Sequence, residues 1–394
     1  MNWVITLTIF IVTYAILFTE KIDRTIITLA GALGMVLGGT FFGFYGQSEA
    51  FFAIDFDTIS LVLGMMIMVG TVERTGVIEY LAISIAKKSR GRVWVLLIGL
   101  GGFTAIASAV MDNVTTMVLV GPITLSITDL LGLSAIPFLM SESMLSIIGG
   151  MFTLIGAPPN IMIGSAAELG FNDFILHLGP IAILVWLLSV FYFRLIFKNE
   201  LPLVSQKKET LQDLDPERTI EDWFQAKMAV AVVGIVIVLY LVHGTIGLEP
   251  PMVSFIGAVL ALLVIRPDVK DTLAGVEWSV LLFYAALFIL VGGLQNAGIV
   301  QVIASRFGTF ATGHPLVAPI LLIWLAGIIS GIIDNVPLTI ALIPVVHGLG
   351  GLHGVDTTSY WWALALGAVL GGISSPIGSS ANVISISLSE GTDS

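Results

Sequence analysis

Two acidic tripeptides lie inside otherwise apolar stretches of this 394-residue sequence. Asp112-Asn113-Val114 interrupts the stretch from Val93 to Thr128, and Asp334-Asn335-Val336 interrupts a second stretch from about Leu316 to Val346. A carboxylate at membrane depth costs at least about 2.5 kcal/mol on insertion scales, so such residues usually face a cavity and bind something. The two aspartates are therefore the first candidates for a site that binds a cation, a proton or a polar solute.

Each polar interruption predicts a re-entrant hairpin, in which two apolar helices meet at a polar tip. Helix ends and side-chain amides at such a tip supply the hydrogen bonds that lipid cannot. Asp112 is predicted near the first tip and Asp334 near the second, where Pro337 blocks continuation of the preceding helix. The alternative is that each aspartate only caps a hairpin helix. Capping and ion binding are compatible.

A second pair of segments cannot form continuous helices. They run from Gly149 to Asn160 and from Gly371 to Asn382, and both are rich in glycine and contain proline. Such breaks expose backbone carbonyl and amide groups that can coordinate a cation or hydrogen-bond a solute near the bilayer midplane. Asn160 and Asn382 add carboxamide groups. The alternative is a kink that serves helix packing alone.

The two hairpins and the two breaks belong to an internal repeat. A shift of 222 residues aligns the halves without gaps from about Asp55 to Asn160. The matched positions are Gly70 and Gly292, Gly76 and Gly298, Ser108 and Ser330, Asp112 to Val114 and Asp334 to Val336, Pro122 and Pro344, Gly149-Gly150 and Gly371-Gly372, Ile155-Gly156 and Ile377-Gly378, and Asn160 and Asn382.

The tips and the breaks together define the predicted solute and ion site. Its residues are Asp112, Asn113, Thr115, Thr116, Gly156, Asn160, Asp334, Asn335, Ser379, Ser380 and Asn382. Glu142 also lies in an apolar context, but the matching position holds Leu364, so it is either a proton relay or a residue at a helix end. No metal is predicted beyond Na⁺ at the same residues, and no cofactor.

Composition indicates that the chain is a membrane protein. Hydrophobic residues make up 57% and charged residues 11%, against roughly 25% charged residues in soluble proteins. The sequence therefore predicts an all-α polytopic membrane protein. The apolar spans outside the hairpins are Asn2 to Thr19, Thr25 to Phe42, Thr58 to Thr71, Met140 to Ile163, His177 to Phe197, Lys227 to Val242, Pro251 to Ile265, Trp278 to Gly292 and Trp361 to Ile384.

A charged segment divides the chain. Residues 1–197 are predicted as the first repeat, 198–226 as a cytoplasmic linker and 227–394 as the second repeat. If Met1 is outside and the hairpins are re-entrant, 15 of the 16 Lys and Arg residues are inside and only Arg306 is outside. This follows the positive-inside rule. It requires five full spans per half and inverts the second half, in a membrane predicted to be the plasma (inner) membrane.

The second repeat is predicted to lack its last helix. After Asn382 the chain continues only from Val383 to Ser394, where the first half supplies the span from His177 to Phe197. The sequence also contains no cysteine, which excludes disulfides and thiolate chemistry. No nucleophile and base constellation or phosphate loop occurs, so an enzyme is not expected.

Three motifs resemble one branch of a known superfamily. Met111 to Thr116, Thr153 to Gly164 and Asp334 to Pro337 are similar to segments of the arsenite permease, P-protein and sodium/proton antiporter (ArsB/NhaD) branch of the ion transporter superfamily, a citrate transporter-like group. The layout also resembles divalent anion/sodium symporters, where a Ser-Asn-Thr tip replaces Asp-Asn. The resemblance implies a scaffold domain, a transport domain that moves as an elevator, and a homodimer.

The leading functional hypothesis is H⁺- or Na⁺-coupled transport of an inorganic oxyanion or weak acid such as arsenite. A Na⁺/H⁺ antiporter is the alternative, with Asp112 and Asp334 exchanging the two ions. Symport of a dicarboxylate or tricarboxylate is less favoured because no Lys or Arg lies at either tip or break. A channel or a non-transporting membrane protein is the remaining class. The expected partners are the solute, the coupling ion and the bilayer, with no nucleic acid.

Overall fold

The computed structural model describes residues 2–19, 21–205, 209, 211, 214–376 and 378–390. The predicted linker positions Lys207 and Lys208, the predicted external Met1 and the last four residues therefore lie outside the described residues. In the first half the helices are α1 (Asn2–Leu17), α2 (Arg24–Phe42), α3 (Gln47–Phe52), α4 (Phe56–Glu73), α5 (Val77–Ser89), α6 (Val93–Ser108), α7 (Asn113–Leu131), α8 (Ile136–Gly150), α9 (Pro158–Ala167), α10 (Phe171–His177) and α11 (Gly179–Ile196).

After the charged segment come nine further helices in the described part of the chain. They are α12 (Trp223–Ile246), α13 (Pro250–Ile265), α14 (Val269–Ala274), α15 (Trp278–Asn296), α16 (Ile299–Gly313), α17 (Val317–Ser330), α18 (Asn335–His353), α19 (Thr358–Gly371) and α20 (Ser380–Glu390). The described residues form no β-strand, only an isolated bridge between Arg92 and Val204. The predicted all-α class is confirmed.

The helices are long and apolar enough for a multi-pass membrane protein. Among the described residues, six helices can cross a bilayer by length and composition, namely α2, α4, α7, α11, α12 and α15. Large apolar side chains face outward, including Phe41 on α2 and Trp324 on α17. Lipid is a favourable environment for such a surface, whereas water is not. The chain is an integral multi-pass membrane protein.

Both segments predicted to be broken are interrupted. The apolar stretch from Met140 to Ile163 forms α8 and α9, which are separated by residues 151–157. The stretch from Trp361 to Ile384 likewise forms α19 and α20. The predicted spans did not include α5 and α16, which follow left-handed glycines, Gly76 and Gly298. Polar residues such as Glu79 and Lys87 conceal α5 from a search for apolar runs.

Aspartate side chains begin several of the helices. Asp23 Oδ1 accepts hydrogen bonds from the backbone N–H groups of Thr25 and Ile26 at the start of α2, at 2.8 and 3.3 Å. Asp55 and Asp222 cap α4 and α12 in the same way. The first N–H groups of a helix have no partner within it, so an acceptor at this position stabilises the helix and fixes its first residue. Arg24 is fixed in this way as the first residue of α2.

Close helix crossings occur at glycine. A Cβ atom added to Gly149 on α8 would lie 2.1 Å from the carbonyl oxygen of Ala105 on α6. On α19, a Cβ atom at Gly371 would lie 2.3 Å from the carbonyl oxygen of Gly327 on α17. Because lipid provides no hydrophobic drive for helix association, such backbone contact supplies the packing energy. These crossings hold each broken segment against its neighbouring hairpin.

The helices pack as two groups. The first group contains α1, α2, α4, α12, α13 and α15, and the second contains the hairpins and breaks, α5 to α9 and α16 to α20. The groups meet where α4 packs on α9 and where α15 packs on α18. These junctions bring the apolar helices α4 and α15 of the first group against the tips and the breaks. The candidate site lies at this boundary.

The two helices of the first hairpin return to the same end of the molecule. Val93 begins α6, and its N–H donates to the carbonyl oxygen of Leu203 at 3.2 Å. Leu131 ends α7, and its carbonyl oxygen accepts from Ser205 Oγ at 2.9 Å. Residues 203–205 therefore lie beside both ends of the hairpin. This is the geometry that a re-entrant segment requires, although α7 is long enough to span.

Helix positions follow the same offset as the sequence matches. Adding 222 to the residue numbers of α7 converts Asn113–Leu131 into the bounds of α18, Asn335–His353. The bounds of α4 fall within one residue of those of α15 by the same shift. Local structure therefore recurs along the chain. The inverted membrane orientation of the second half, the predicted domain limits and the missing last helix stay predictions.

Candidate functional site

Seven of the predicted site residues line one small pocket. They are Asp112, Asn113, Thr115, Asp334, Asn335, Ser379 and Ser380. The opposite wall comes from the first helix group, with Val62 and Met65 on α4 and Phe283 and Tyr284 on α15. The cavity volume is about 50 Å³, and a single water needs at least roughly 10 to 15 Å³. The space suits a few waters, a bare cation or a small inorganic solute.

Asp112 closes the first tip. Its Oδ1 accepts the backbone N–H groups of Val114 and Thr115, both at 2.9 Å. Its Oδ2 accepts a hydrogen bond from Thr115 Oγ1. The aspartate is thus an N-cap, as the structural alternative predicts. It also faces the pocket, so its carboxylate remains placed to meet a ligand.

Asp334 occupies the matching position at the second tip, but its surroundings differ. Its Oδ1 accepts the backbone N–H of Val336 at 3.0 Å, and its Oδ2 accepts a hydrogen bond from Ser380 Oγ at 3.1 Å. Arg24 Nη1 lies 3.7 Å from the same Oδ2 and donates to Ser380 Oγ at 2.7 Å. One aspartate of the pair therefore has a basic neighbour.

Hydrogen bonds connect each half to the break or tip of the other. Asn113 Nδ2 donates to Ser379 Oγ at 3.2 Å, and Ser143 Oγ donates to Asn382 Oδ1 at 2.6 Å. Asn113 Oδ1 is buried and accepts no hydrogen bond from the described residues. A buried acceptor without a donor is costly unless a ligand or water completes it. Because Asn113 lines the pocket, its carbonyl oxygen is available to a cation or a protonated solute.

Asn160 and Asn382 do not line the pocket. Asn160 Nδ2 donates to the carbonyl oxygens of Gly150, Met151 and Thr153 at 3.2, 3.4 and 2.9 Å. Asn382 Nδ2 donates to the carbonyl oxygens of Gly372 and Ser375, both at 2.8 Å. These carbonyls have lost their helical partners at the breaks. Each carboxamide therefore holds a break in shape from behind the pocket.

Three further predicted residues also lie away from the pocket. Thr116 Oγ1 bonds the backbone oxygen of Asp112 at 2.8 Å. A Cβ atom on Gly156 would lie 2.7 Å from the carbonyl oxygens of both Gly150 and Ser108, so glycine permits a close backbone crossing there. Glu142 is 1% exposed, and its Oε1 accepts from Thr124 Oγ1 at 2.7 Å while Oε2 is buried without a donor among the described residues.

Four helices direct their N-termini at the pocket. They are α7, α9, α18 and α20. Each N-terminus carries a partial charge of about +0.5, which favours an anion. The formal charges on the lining are one cation, Arg24, against the carboxylates of Asp112, Asp334 and Glu277. The fields roughly offset, so an anion gains net attraction only when a cation or proton neutralises a carboxylate.

Arg24 and Glu277 also line the pocket, and neither belongs to the predicted site residues. Burial and the nearby Asp112 carboxylate raise the pKa of Glu277, which precedes α15, whereas Arg24 lowers it. In the sequence, Arg24 is one of the 15 basic residues that are predicted to be inside. One signal was available, because a cation at the first turn of a helix opposes the helix dipole and needs another reason to be there. The tips and breaks themselves contain no Lys or Arg, but Arg24 brings a cation into the pocket from the start of α2.

Two wider cavities lie beside the pocket, one at the start of α2 and the other at the start of α4. The vestibule, with a volume of about 510 Å³, is lined by Lys21, Asp23 and Arg24 at the start of α2 and shares Asp334 and Ser380 with the pocket. The second cavity, of about 520 Å³, lies at the start of α4 and shares Ile161 with the pocket. Since α2 runs from the vestibule toward α3 and α4, the two cavities flank the pocket.

Replacing Asn160 by Ala is expected to destabilise the first break. The carboxamide has two N–H donors that serve these three buried carbonyls, so the loss of two hydrogen bonds at roughly 1 kcal/mol or more each is expected to cost about 2 kcal/mol of stability. Thermal unfolding of the purified protein in nanodiscs measures this. Asn172→Ala is the control, because its Nδ2 makes one exposed bond to Leu241. Equal melting temperatures for the two variants would contradict the assigned role of Asn160.

Known proteins resemble this chain along most of its length. The chain is 36% identical over 394 residues to a 46 kDa membrane protein of Mycobacterium leprae, which covers 98% of this chain and 91% of that protein. It is 37% identical over 393 residues to an uncharacterized transporter of Mycobacterium tuberculosis, with 98% and 90% covered. Human P protein is 28% identical over 461 residues, covering 96% of this chain and 54% of that protein.

A family model described as citrate transporter matches residues 14–367. The match contains both hairpins, the first break and the helices α4 and α15 that complete the pocket. It agrees with the resemblance to the citrate transporter-like part of the ion transporter superfamily, and the similarity to P protein agrees as well. This chain belongs to the citrate transporter family and is a membrane transporter.

Proposed function

We propose that the chain is an ion-coupled secondary transporter that moves a small inorganic oxyanion or weak acid such as arsenite, together with H⁺ or Na⁺. The observation that supports it best is the convergence of two Asp-Asn tips in one pocket of about 50 Å³. Wider cavities flank that pocket on two sides. Alternating access needs such a central site, and the carboxylates provide the place where a coupling cation binds.

Electrostatics favour a coupled pair of ligands over a cation alone. Carboxylates of Asp112 and Asp334 attract a cation or proton, while four helix N-termini and Arg24 attract negative charge or a polar oxygen. A cation bound first therefore prepares the pocket for an oxyanion, or for a weak acid that arrives uncharged. Elevator motion of the second helix group, a homodimer and a cytoplasmic linker belong to the same proposal. It requires no catalytic step.

Sodium/proton antiport is the second candidate. Asp112 lies in the same pocket as Asn113 Oδ1, which has no donor among the described residues, and oxygen ligands of this kind suit Na⁺. In this case H⁺ and Na⁺ compete for the carboxylates and no other solute moves. Arg24 and the helix N-termini argue for the oxyanion instead, because a site for cations alone gains nothing from them.

Two specific observations support dicarboxylate or tricarboxylate symport as a further candidate. Arg24 supplies the positively charged side chain that the sequence motifs lack, and the family model is described as citrate transporter. The pocket itself is too small for citrate, so such an anion would occupy the vestibule beside Arg24 and Lys21. The size of the transported solute therefore distinguishes carboxylate symport from transport of a small inorganic solute.

Reconstitution in liposomes tests these candidates directly. We expect a Na⁺ or H⁺ gradient to drive arsenite uptake, measured by elemental analysis of the vesicles, with little uptake of labelled citrate. Citrate uptake without arsenite uptake would select the carboxylate symporter. Proton movement on addition of Na⁺ in the absence of any solute would select the antiporter. Passive conductance without coupled flux would indicate a channel and overturn the proposal.

A further inference from the structure

Arg24 makes contacts across the boundary between the two helix groups. It begins α2 in the first group, whereas Asp334 and Ser380 begin α18 and α20 in the second. Its Nη1 lies 2.7 Å from Ser380 Oγ and 3.7 Å from Asp334 Oδ2. The guanidinium also stands 5.3 Å from the ring centroid of Phe283 on α15. The side chain therefore holds the second tip and the second break against the first group.

The repeat does not reproduce this ion pair. The helix α13 packs on α4 as α2 packs on α15, but α13 begins at Pro250, which lacks charge. Within the described residues, Asp334 has an ion pair and Asp112 has none. Asp112 therefore presents a carboxylate that a mobile cation can neutralise. Asp334 already has a cation beside it, the guanidinium of Arg24 in the same chain. The two similar tips differ in what must happen before a cation binds.

We infer that Arg24 is a positioning residue that acts as a tethered counter-cation for Asp334, competing with the mobile coupling cation and holding the two helix groups together until that cation displaces it. The inference rests on the proposed cation coupling at Asp112 and Asp334. It adds that one of the two carboxylates is occupied by the chain itself in the absence of the ion.

The competition follows from the chemistry of the groups. An arginine guanidinium stays charged, so it cannot leave Asp334 by losing its proton. Two cations on one carboxylate oxygen in a poorly screened pocket repel each other. A cation at Asp334 Oδ2 therefore moves the guanidinium away, and the bond to Ser380 Oγ is lost with it. The vestibule provides room, since Arg24 lines it as well as the pocket.

Four other charged side chains lie near the Arg24–Asp334 pair. Asp112 and Glu277 share the pocket with Arg24, and Lys21 and Asp23 line the vestibule beside it. None of these four side chains forms an ion pair with Arg24 or Asp334 in the described residues. Among the charged groups near Arg24 in the described residues, Asp334 is the one within ion-pair distance of it.

A Na⁺ titration in nanodiscs at constant ionic strength and pH tests the inference, with the melting temperature as readout, and a pH titration without Na⁺ repeats it for protons. In Arg24→Gln, half-maximal stabilisation is expected at an about fivefold to tenfold lower cation concentration, as for loss of a charge-assisted contact. Arg24→Lys is expected to stay near wild type. Arg218→Gln is the control, because it removes an exposed Arg–Asp pair.

The double variant Arg24→Gln/Asp334→Asn is expected to match Asp334→Asn alone, since the arginine acts through that carboxylate. An equal or higher half-maximal concentration in Arg24→Gln than in wild type would overturn the inference. If neither Na⁺ nor pH changes the melting temperature of wild type or of any variant, both the inference and the proposed coupling fail. The two kinds of failure are therefore distinguishable.

Chemical rescue separates a role of charge from a role of shape. The chain contains no cysteine, so Arg24→Cys provides one reactive thiol. Modification with aminoethyl methanethiosulfonate restores a cation and is expected to restore the wild-type Na⁺ dependence. Modification with sulfonatoethyl methanethiosulfonate places an anion there and is expected to leave the variant unrestored. Rescue by both reagents, or by neither, would overturn the charge-based role.

Discussion

Replacement of Asp112 by Asn is expected to lower cation-driven solute flux about a hundredfold or more. Asn is as good an N-cap as Asp, so the first turn of α7 is expected to persist while the negative charge is lost. Loss of a charged ligand is worth about 3 kcal/mol, which corresponds to that factor. Initial rates of uptake into liposomes under an imposed Na⁺ or H⁺ gradient provide the measurement.

Two variants control for the Asp112 result. Asp129→Asn removes a carboxylate from the exposed far end of the same helix and is expected to leave flux unchanged. Asp334→Asn is expected to lose flux too, but with a weaker change in cation affinity, because Arg24 already neutralises that position. Wild-type flux in Asp112→Asn would show that coupling does not use this carboxylate and would exclude the assigned site.

Gly149→Ala is expected to prevent stable packing of the first break. The added methyl would meet the backbone of α6 at Ala105, with 2.1 Å to the oxygen and 2.6 Å to the carbonyl carbon. Backbone cannot rotate away as a side chain can, so the cost is expected at or above the usual 1 to 3 kcal/mol, roughly, for overpacking. We expect a lower yield of folded protein and a lower melting temperature in detergent.

Gly234→Ala provides the matched control for this substitution. A Cβ at Gly234 on α12 meets no atom within 4 Å, and alanine favours the helix by about 1 kcal/mol. Its melting temperature is expected to equal or slightly exceed that of wild type. Gly371→Ala in the second half is expected to behave like Gly149→Ala, since its Cβ would lie 2.3 Å from the Gly327 oxygen. Normal folding of Gly149→Ala would disprove the tight crossing.

The hairpin tips and the helix breaks could be predicted from hydropathy and helix-breaking residues. Lipid leaves no water to satisfy open backbone groups, so a polar tripeptide or a proline pair in an apolar run has few structural solutions. Asp112 and Asp334 are the N-caps of α7 and α18, and both face one pocket. The predicted hairpin limits at Val93 and Leu316 lie within one residue of the starts of α6 and α17.

Contacts between segments that are distant in the chain could not be predicted from local sequence patterns. Arg24 meets Ser380, which is 356 residues later in the chain, and nothing in the local pattern around Arg24 indicates that partner. Likewise, composition does not tell whether a carboxamide faces a cavity or a set of carbonyls. Asn160 and Asn382 were predicted in the site because they follow the breaks, and they lie behind it because their N–H₂ groups satisfy those breaks.

The hydrogen bonds that connect the halves involve positions at which the two halves differ in sequence. Asn113 reaches Ser379, whereas the position matching Ser379 in the first half is Ala157. Ser143 reaches Asn382, and its neighbour Glu142 corresponds to Leu364. A homodimer of half-length chains would have to place the same residue at both of two matched positions, such as 157 and 379. Joining the halves in one polypeptide removes that constraint, so each copy can specialise while the shared pocket stays complete.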